Sequence, residues 1–464
     1  MFEGMGVSAT SVPGVGVAGL DAAGVTAWVR ALAGETKGAA SDAERIEEIR
    51  ALEELKCAAA ARQAELTADF DVSQRAAQAA AGVHPDRRGR GVALQVALAR
   101  RESHHRGRQH LGLAVVVPVE LPCTWAGFRA GRISEWRVQL LARETACLSR
   151  ADRGRVDRVL AGDLEQLEGY GDGELVAAAR KLAYRLDPES VLERRRRAER
   201  DRRVTCRPAP DVMSHLSALL PVAQGVAVFA SLTREADRLR AVGDSRSKGQ
   251  IMADTLVERV TGIGAAPGGA GAANPGGGGS PVMPVTVNVV ISDRALLAGA
   301  DDAAWVEGYG PIPAGVARDL VRDADQAARA ALRRLYATPE TGALVGVESD
   351  SRFFPQGLSR YVGLRDQTCR TKWCDAPIRH RDHVEAVDEG GPTTAANGQG
   401  LCAACNIAKE APGWQARPRA GPRHTVETTT PTGHRYRSTA PRSVSPAPGW
   451  FVTRISLADL GRAS

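Results

Sequence analysis

The chain of 464 residues is poor in aromatics: Phe, Trp and Tyr make up 4% of it, against abundant Ala, Arg and Gly. That bias reads as coding composition as much as function. Long apolar runs are missing too. The best candidate, residues 216–232, is interrupted by Pro221, Gln224 and Gly225, so no segment is long and charge-free enough to span a bilayer. No membrane partner is expected. The first 19 residues are rich in Gly, Val and Ser but lack the basic stretch that precedes the apolar run of a signal peptide. A cytoplasmic protein is therefore the expectation. Paired disulfide spacing is absent from most of the chain. Cys57, Cys123, Cys147 and Cys206 are scattered, as small buried hydrophobes are in a reducing compartment. No repeat at the periods typical of solenoids occurs, and oligomeric state is left open.

Net charge is concentrated rather than spread. Residues 413–464 hold eight Arg against Glu427 and Asp459, a balance of +6. Residues 351–412 hold eight Lys or Arg against seven Asp or Glu, a balance of +1. With +7 overall, the first 350 residues balance to zero. A cationic tail fits a polyanion partner, or else a solvated terminus.

What the chain does have is a dense cluster of cysteines before that tail: Cys369-x4-Cys374 and Cys402-x2-Cys405, with Asp382-His383 and Asn397 between the pairs and Asn406 after them. Two short-spaced pairs brought together by folding make a four-thiolate zinc cage, and four thiolates leave no open position for chemistry. Zinc there would staple a module with too little apolar surface to fold alone. The Asp-His pair needs a separate explanation.

The region ahead of the cluster reads as mainly α-helical with short strands. Residues 1–40 are expected to lack order. A first long helix starts at the capping box Ser41-x-x-Glu44, with Ile46, Ile49, Leu52, Leu55, Ala59, Leu66 and Phe70 as its apolar stripe. Helical patterns run over 92–106, 134–166, 173–203, 213–242 and 248–260, with a β-prone stretch at 113–119. The arginine run at 193–203 reads as an exposed helix end with intrahelical Glu/Arg pairs. Residues 264–281 are a Gly-rich linker without charge. A strand is expected over 283–291, a helix over 314–336 and a turn at 338–342.

Asp382-His383, Gly390-Gly391-x-Thr393, Asn397 and Leu401-Cys-x-x-Cys405-Asn406-x-x-Lys409 together resemble the HNH endonuclease motif, the ββα-metal nuclease module. The resemblance implies a small α+β module over 355–413, after a helical domain over 41–340 and before a basic tail over 414–464. It implies His383 as general base, suited by a pKa near neutrality. It implies Asp382 and Asn406 as ligands of one catalytic divalent cation. The family usually has His where Asn406 stands; an amide oxygen suits a hard cation, Mg2+ or Mn2+. It implies Asn397 as the residue that orders the loop and so orients His383, and Lys409 as a phosphate contact. Cys369, Cys374, Cys402 and Cys405 remain the structural Zn2+ site. His380 reads as a supporting polar residue on the Asp382 face of its strand, and Trp373 and Trp414 as packing around the zinc module. Residues 40–340 are similar to the domain of unknown function that commonly precedes a bacterial HNH module, through Ser245–Val257, Ile291–Leu297, Gly308–Pro313 and Thr338–Gly342. Hydrolysis of DNA phosphodiesters is the activity implied; a zinc-stapled DNA-binding protein without hydrolysis is the alternative.

Overall fold

The computed structural model describes residues 21–34, 41–261, 289–326 and 354–442. The Gly-rich stretch at 264–281, the turn at 338–342 and the tail beyond 442 lie outside the described residues. A short helix α1 (Ala22–Ala33) falls within the stretch expected to lack order, capped by Asp21, whose Oδ1 accepts from Gly24 N at 2.9 Å. The long α2 (Asp42–Ala80) starts at the expected capping box: Ser41 Oγ accepts from Glu44 N at 3.3 Å and Glu44 Oε2 from Ser41 N at 2.8 Å. Its apolar stripe is a correction. Ile46, Ile49, Leu52, Leu55 and Leu66 are exposed, and the buried face carries Cys57, Ala61, Thr67, Asp71 and Gln78. Small side chains on that face let the following helices approach closely.

Gln78 holds the turn that leads into α3 (Val92–Arg100): its Oε1 accepts from Gly89 N at 2.6 Å and its Nε2 donates to Arg90 O at 3.0 Å. The next helix, α4 (His104–Glu120), crosses α3 at Gly107, where a Cβ would sit 2.2 Å from Ala93 O. Residues 113–119, expected as β-prone, are the second half of α4. Ala114 and Val117 are buried while Val115 and Val119 are exposed. Burial on a helical period outweighs the β preference of branched side chains.

Four helices then close the main core: α5 (Pro122–Arg129), α6 (Glu135–Glu144), α7 (Arg150–Ala161) and α9 (Asp172–Leu186), with the short α8 (Leu164–Glu168) between the last two. Leu121, Ile133, Leu141, Val156, Leu167 and Leu175 sit at its centre. The pattern at 134–166 is broken by caps at Ser149 and Asp163, which accept from Asp152 N and Glu165 N. Asp157 is fully buried and caps α5 from α7, accepting from Cys123 N (2.6 Å), Thr124 N (3.0 Å) and Thr124 Oγ1 (2.6 Å). On α10 (Pro188–Arg200), Arg195 pairs with Glu199 and Arg197 with Glu193 at i,i+4 spacing.

The helix expected over 213–242 is a second correction. An exposed antiparallel hairpin, β1 (Arg203–Ala209) and β2 (Met213–Leu219), occupies its start, turning through left-handed Asp211 and Val212. Only α11 (Val222–Ala241) is helical there, and it packs on α12 (Lys248–Thr261). A small antiparallel sheet follows, β3 (Val289–Val290), β4 (Ala304–Val306) and β5 (Gly310–Ile312), flanked by α13 (Asp293–Leu297) and α14 (Ala314–Gln326). β3 is the described end of the expected strand, and α14 the described part of the expected 314–336 helix. The C-terminal part comprises α15 (Gln356–Asp366), the strand pair β6 (His380–His383) and β7 (Gly398–Leu401), α16 (Ala403–Lys409), and a sheet of β8 (Gln415–Arg419), β9 (Thr425–Thr429) and β10 (Arg435–Thr439). The first part of the expected tail is thus folded sheet. No single helix among the described residues is long and apolar enough to cross a membrane.

Candidate active site and metal centre

The four clustered cysteines converge. Their sulfurs all lie within 4.8 Å of one another, and all four residues are buried. Cys374 Sγ is 3.9 Å from Cys402 Sγ and 3.7 Å from Cys405 Sγ. A tetrahedral zinc site with bonds of about 2.3 Å has sulfur–sulfur edges of about 3.8 Å, so the donor set and spacing fit such an ion. Local backbone builds the two halves. Cys374 N donates to Thr371 O at 3.0 Å and Cys369 N to Ala376 O at 2.9 Å, closing one turn. Cys402 is the N-cap of α16, its Sγ accepting from Cys405 N at 3.4 Å. Cys369 is held below the ordinary thiol value, first through its hydrogen bond with Cys374. Trp373 and Trp414 pack against the cage, and Trp373 meets Tyr436 of β10 edge-on at 5.8 Å.

The helical region reaches into this module. Leu94 and Leu98 of α3 share one buried cluster with all four cysteines, Leu401 and Ala408. Gly91 has φ +82° and lies where a Cβ would stand 2.4 Å from Trp414 Nε1. Thr432 Oγ1 donates to Gln95 Oε1 at 3.1 Å. His104, 8% exposed at the start of α4, places Nδ1 3.9 Å from Cys405 Sγ. Burial pushes its imidazole below the ordinary value.

Beside the cage, β6 presents Asp382 and His383, and α16, which packs on β6, presents Asn406 and Lys409. Asp382 Oδ2 and Asn406 Oδ1 are buried oxygens without a hydrogen-bond donor. A carboxylate and an amide oxygen left in this way fit a hard cation. Lys409 is turned inward, not out to solvent. Its Nζ lies 2.6 Å from Asp382 Oδ2, an ion pair without hydrogen-bond geometry, 3.2 Å from Glu410 Oε1, and donates to His383 O at 2.9 Å.

His383 is half-buried, its Nε2 2.9 Å from the hydroxyl of buried Thr393 and its ring 4.6 Å from that of Phe354. Desolvation lowers its pKa; Asp382 raises it and Lys409 lowers it further. Asn397 is 2% exposed and satisfies its side chain three times: it accepts from Glu385 N (2.9 Å) and donates to Glu385 O (3.0 Å) and Pro392 O (2.9 Å). It pins the loop that carries Thr393 to the end of β6. His380 is exposed on β6 opposite Leu401. Thr393 and Phe354 had no role in the sequence reading. Thr393 stood inside the Gly-Gly-x-Thr landmark; Phe354 carried no local signal.

The floor of the site belongs to α15. Arg365 and Asp366 are a buried ion pair at 2.7 Å. Asp366 Oδ2 accepts from Gly400 N at 2.7 Å, and Arg365 Nη2 donates to Gly398 O at 2.6 Å, so α15 holds β7 and through it the β6 register. Next to these residues an open cleft of about 710 Å3 runs between β6–β7, α16 and the β8–β9 strands; Lys409, Glu385, Gln399, Arg370 and Arg417 line it, whereas Asp382, His383 and Asn406 do not. Not every tail arginine is available to it. Arg419 and Arg437 both bind buried Glu427, whose carboxyl they hold down to about 2, and Arg423 donates to Ala440 O at 2.9 Å.

Comparison with known families places these parts. Residues 47–366 match the family model Domain of unknown function (DUF222), and residues 367–411 match HNH endonuclease. The chain belongs to the DUF222 family and carries after it, over residues 367–411, a match to HNH endonuclease, which supports a nuclease. An uncharacterized protein of Mycobacterium tuberculosis is 27% identical over 400 residues, covering 79% of this chain and 73% of its own. No solved structure matches the chain.

Proposed function

We propose that this DUF222 protein is a metal-dependent HNH endonuclease that hydrolyses DNA phosphodiester bonds, with His383 as general base and one divalent cation, Mg2+ or Mn2+, on Asp382 and Asn406. The observation that carries it is the meeting beside His383 of two buried oxygens, Asn406 Oδ1 with no hydrogen-bond donor and Asp382 Oδ2 with the Lys409 ammonium as its ion-pair partner, on β6 and α16. A cation held there would offset charge on the scissile phosphate and on the leaving oxygen.

The rest falls to the chain itself. The Thr393 hydroxyl, 2.9 Å from His383 Nε2, holds the ring; in the tautomer where it accepts from Nε2–H, the Nδ1 lone pair is available. That nitrogen takes the proton of the attacking water as the bond to phosphorus forms and the P–O3′ bond breaks. The ends expected are 3′-hydroxyl and 5′-phosphate. Asn397 keeps Thr393 and the end of β6 in register. Lys409 is the counter-ion of Asp382 while no divalent ion is bound, and turns to phosphate in the cleft when one is. Zn2+ on Cys369, Cys374, Cys402 and Cys405 staples the frame without taking part.

The test is nicking of supercoiled plasmid in Mg2+ or Mn2+. His383→Ala is expected to lower the rate by about 10²–10⁴-fold, the usual worth of a general base, with an unchanged circular-dichroism spectrum. Equal cleavage by variant and wild type removes His383 from the mechanism. The second reading, a zinc-stapled DNA-binding protein without hydrolysis, draws on the 2.6 Å Lys409–Asp382 pair, which already neutralises the carboxylate. Calorimetric titration with Mn2+ separates the two: no binding that depends on Asp382 would favour it.

A further inference from the structure

We propose that His104 of the helical domain is a positioning group of the cysteine cage, donating its Nδ1–H to the Cys405 thiolate so that metal retention and the docking of α3–α4 support each other. The inference rests on the cage taking a metal. Four thiolates around a divalent zinc carry a net charge of about −2. Burying such charge is costly unless N–H donors face the sulfurs. Cys405 N supplies one donor, to Cys402 Sγ. His104 faces the sulfur of Cys405, which is 1% exposed and at the centre of the cluster.

Several features make this contact built rather than incidental. His104 is 8% exposed and held at the start of α4, directly after the Ser103 cap, which accepts from Arg106 N. The helix that carries it is pressed onto α3 at Gly107, and α3 lays Leu94 and Leu98 over the same cluster. Those aliphatic side chains keep water from the sulfurs, and in such surroundings an N–H···S bond is worth more than in water. The two partners are 301 residues apart in the chain, so the bond exists only when the helical domain is docked.

The test uses the full chain loaded with zinc or with Co2+, and two variants. His104→Leu keeps a buried side chain of comparable bulk without a donor, whereas His104→Asn keeps an amide N–H near the Nδ1 position. With the donor lost, His104→Leu should release zinc to a chromogenic chelator about 10–100-fold faster, the usual cost of removing such a partner. Its sulfur-to-cobalt charge-transfer bands should move to lower energy. His104→Asn should restore both towards wild type. Unchanged bands and release in a folded His104→Leu protein would overturn the proposal and leave a packing role alone. Should His104→Leu not fold, wild type loaded with 113Cd decides: a scalar coupling between cadmium and the His104 Hδ1 proton supports the bond, and its absence overturns it. Failure of wild-type protein to take up any metal would instead sink the cage reading itself.

Discussion

Truncating Leu98 to Ala tests whether the helical domain and the nuclease module are one cooperative unit. Leu98 is 2% exposed on α3 and belongs to one buried cluster with Leu94, Leu401, Ala408 and the four cysteines. Leu→Ala in a core costs about 2–5 kcal/mol, more where the surroundings cannot collapse into the cavity. Here they cannot collapse easily: sulfurs holding a zinc ion would be fixed in place, and Ala408 has no rotamer with which to reach across. The upper half, about 3.5–5 kcal/mol, is therefore expected, a large share of a typical stability of about 5–15 kcal/mol. Urea unfolding should be followed by two signals, ellipticity at 222 nm for the helices and zinc capture by a chromogenic chelator for the cage. If α3 and the cage share one core, the two midpoints coincide in wild type and shift together to lower urea in Leu98→Ala. A variant in which zinc is released at lower urea while ellipticity keeps its wild-type midpoint would refute the shared core and make the module a loosely tethered unit.

The other expectations concern the base and the main core. His383 must be neutral to accept a proton, and burial sets its pKa below the ordinary 6.5. Cleavage should therefore be flat through neutrality and fall with one proton as the pH drops below 6.5; an acid limb centred above that value in a kcat/KM profile contradicts the assignment. The same shift means that the unfolded chain protonates His383 more readily, so this group's contribution to stability is present above 6.5 and lost on acidification. Asp157→Ala removes a buried carboxylate that accepts from two backbone N–H groups and a hydroxyl. Leaving buried donors unpaired costs about 1–3 kcal/mol each, so the loss should be about 3 kcal/mol or more, read as a lower thermal midpoint; an unchanged midpoint would mean that α5 does not depend on this cap.

Features set by near neighbours could be read from the sequence. The Ser41–Glu44 box, the Arg–Glu pairs of α10 and the cysteine spacing all depend on residues a few positions apart, where chain connectivity alone brings groups together. Features set by distant partners could not. The Ile46–Leu66 stripe has helical period but its large side chains are exposed, whereas Cys57 and Ala61 are buried. Residues 113–119 have strand-forming side chains, but two of them lie on the core side of a helix. The 203–219 hairpin turns at Asp211 and Val212 without the Asn-Gly or Asp-Gly signal that marks tight hairpins. In the site, Asp382, His383 and Asn406 stood out by motif. The inward turn of Lys409, and the approach of His104 and Leu98, depend on packing that no local pattern records.

The boundary between the two families falls at a place where the molecule is continuous. The DUF222 match ends at residue 366 and the HNH match begins at 367. Yet Asp366, 1% exposed, accepts from Gly400 N, and Arg365 donates to Gly398 O, both on β7. β7 pairs with β6 so that Gly398 lies opposite His383 and Gln399 opposite Asp382. The register of the two residues proposed for chemistry thus hangs on the last turn of a helix assigned to the other family. Cutting at 366 would leave an amide of β7 and a carbonyl beside it without their charged partners, and would uncover the cage where α3 lies. The HNH residues are therefore the chemically distinctive part of a larger unit, and one physical role of the preceding domain is to supply the walls that this short ββα module lacks.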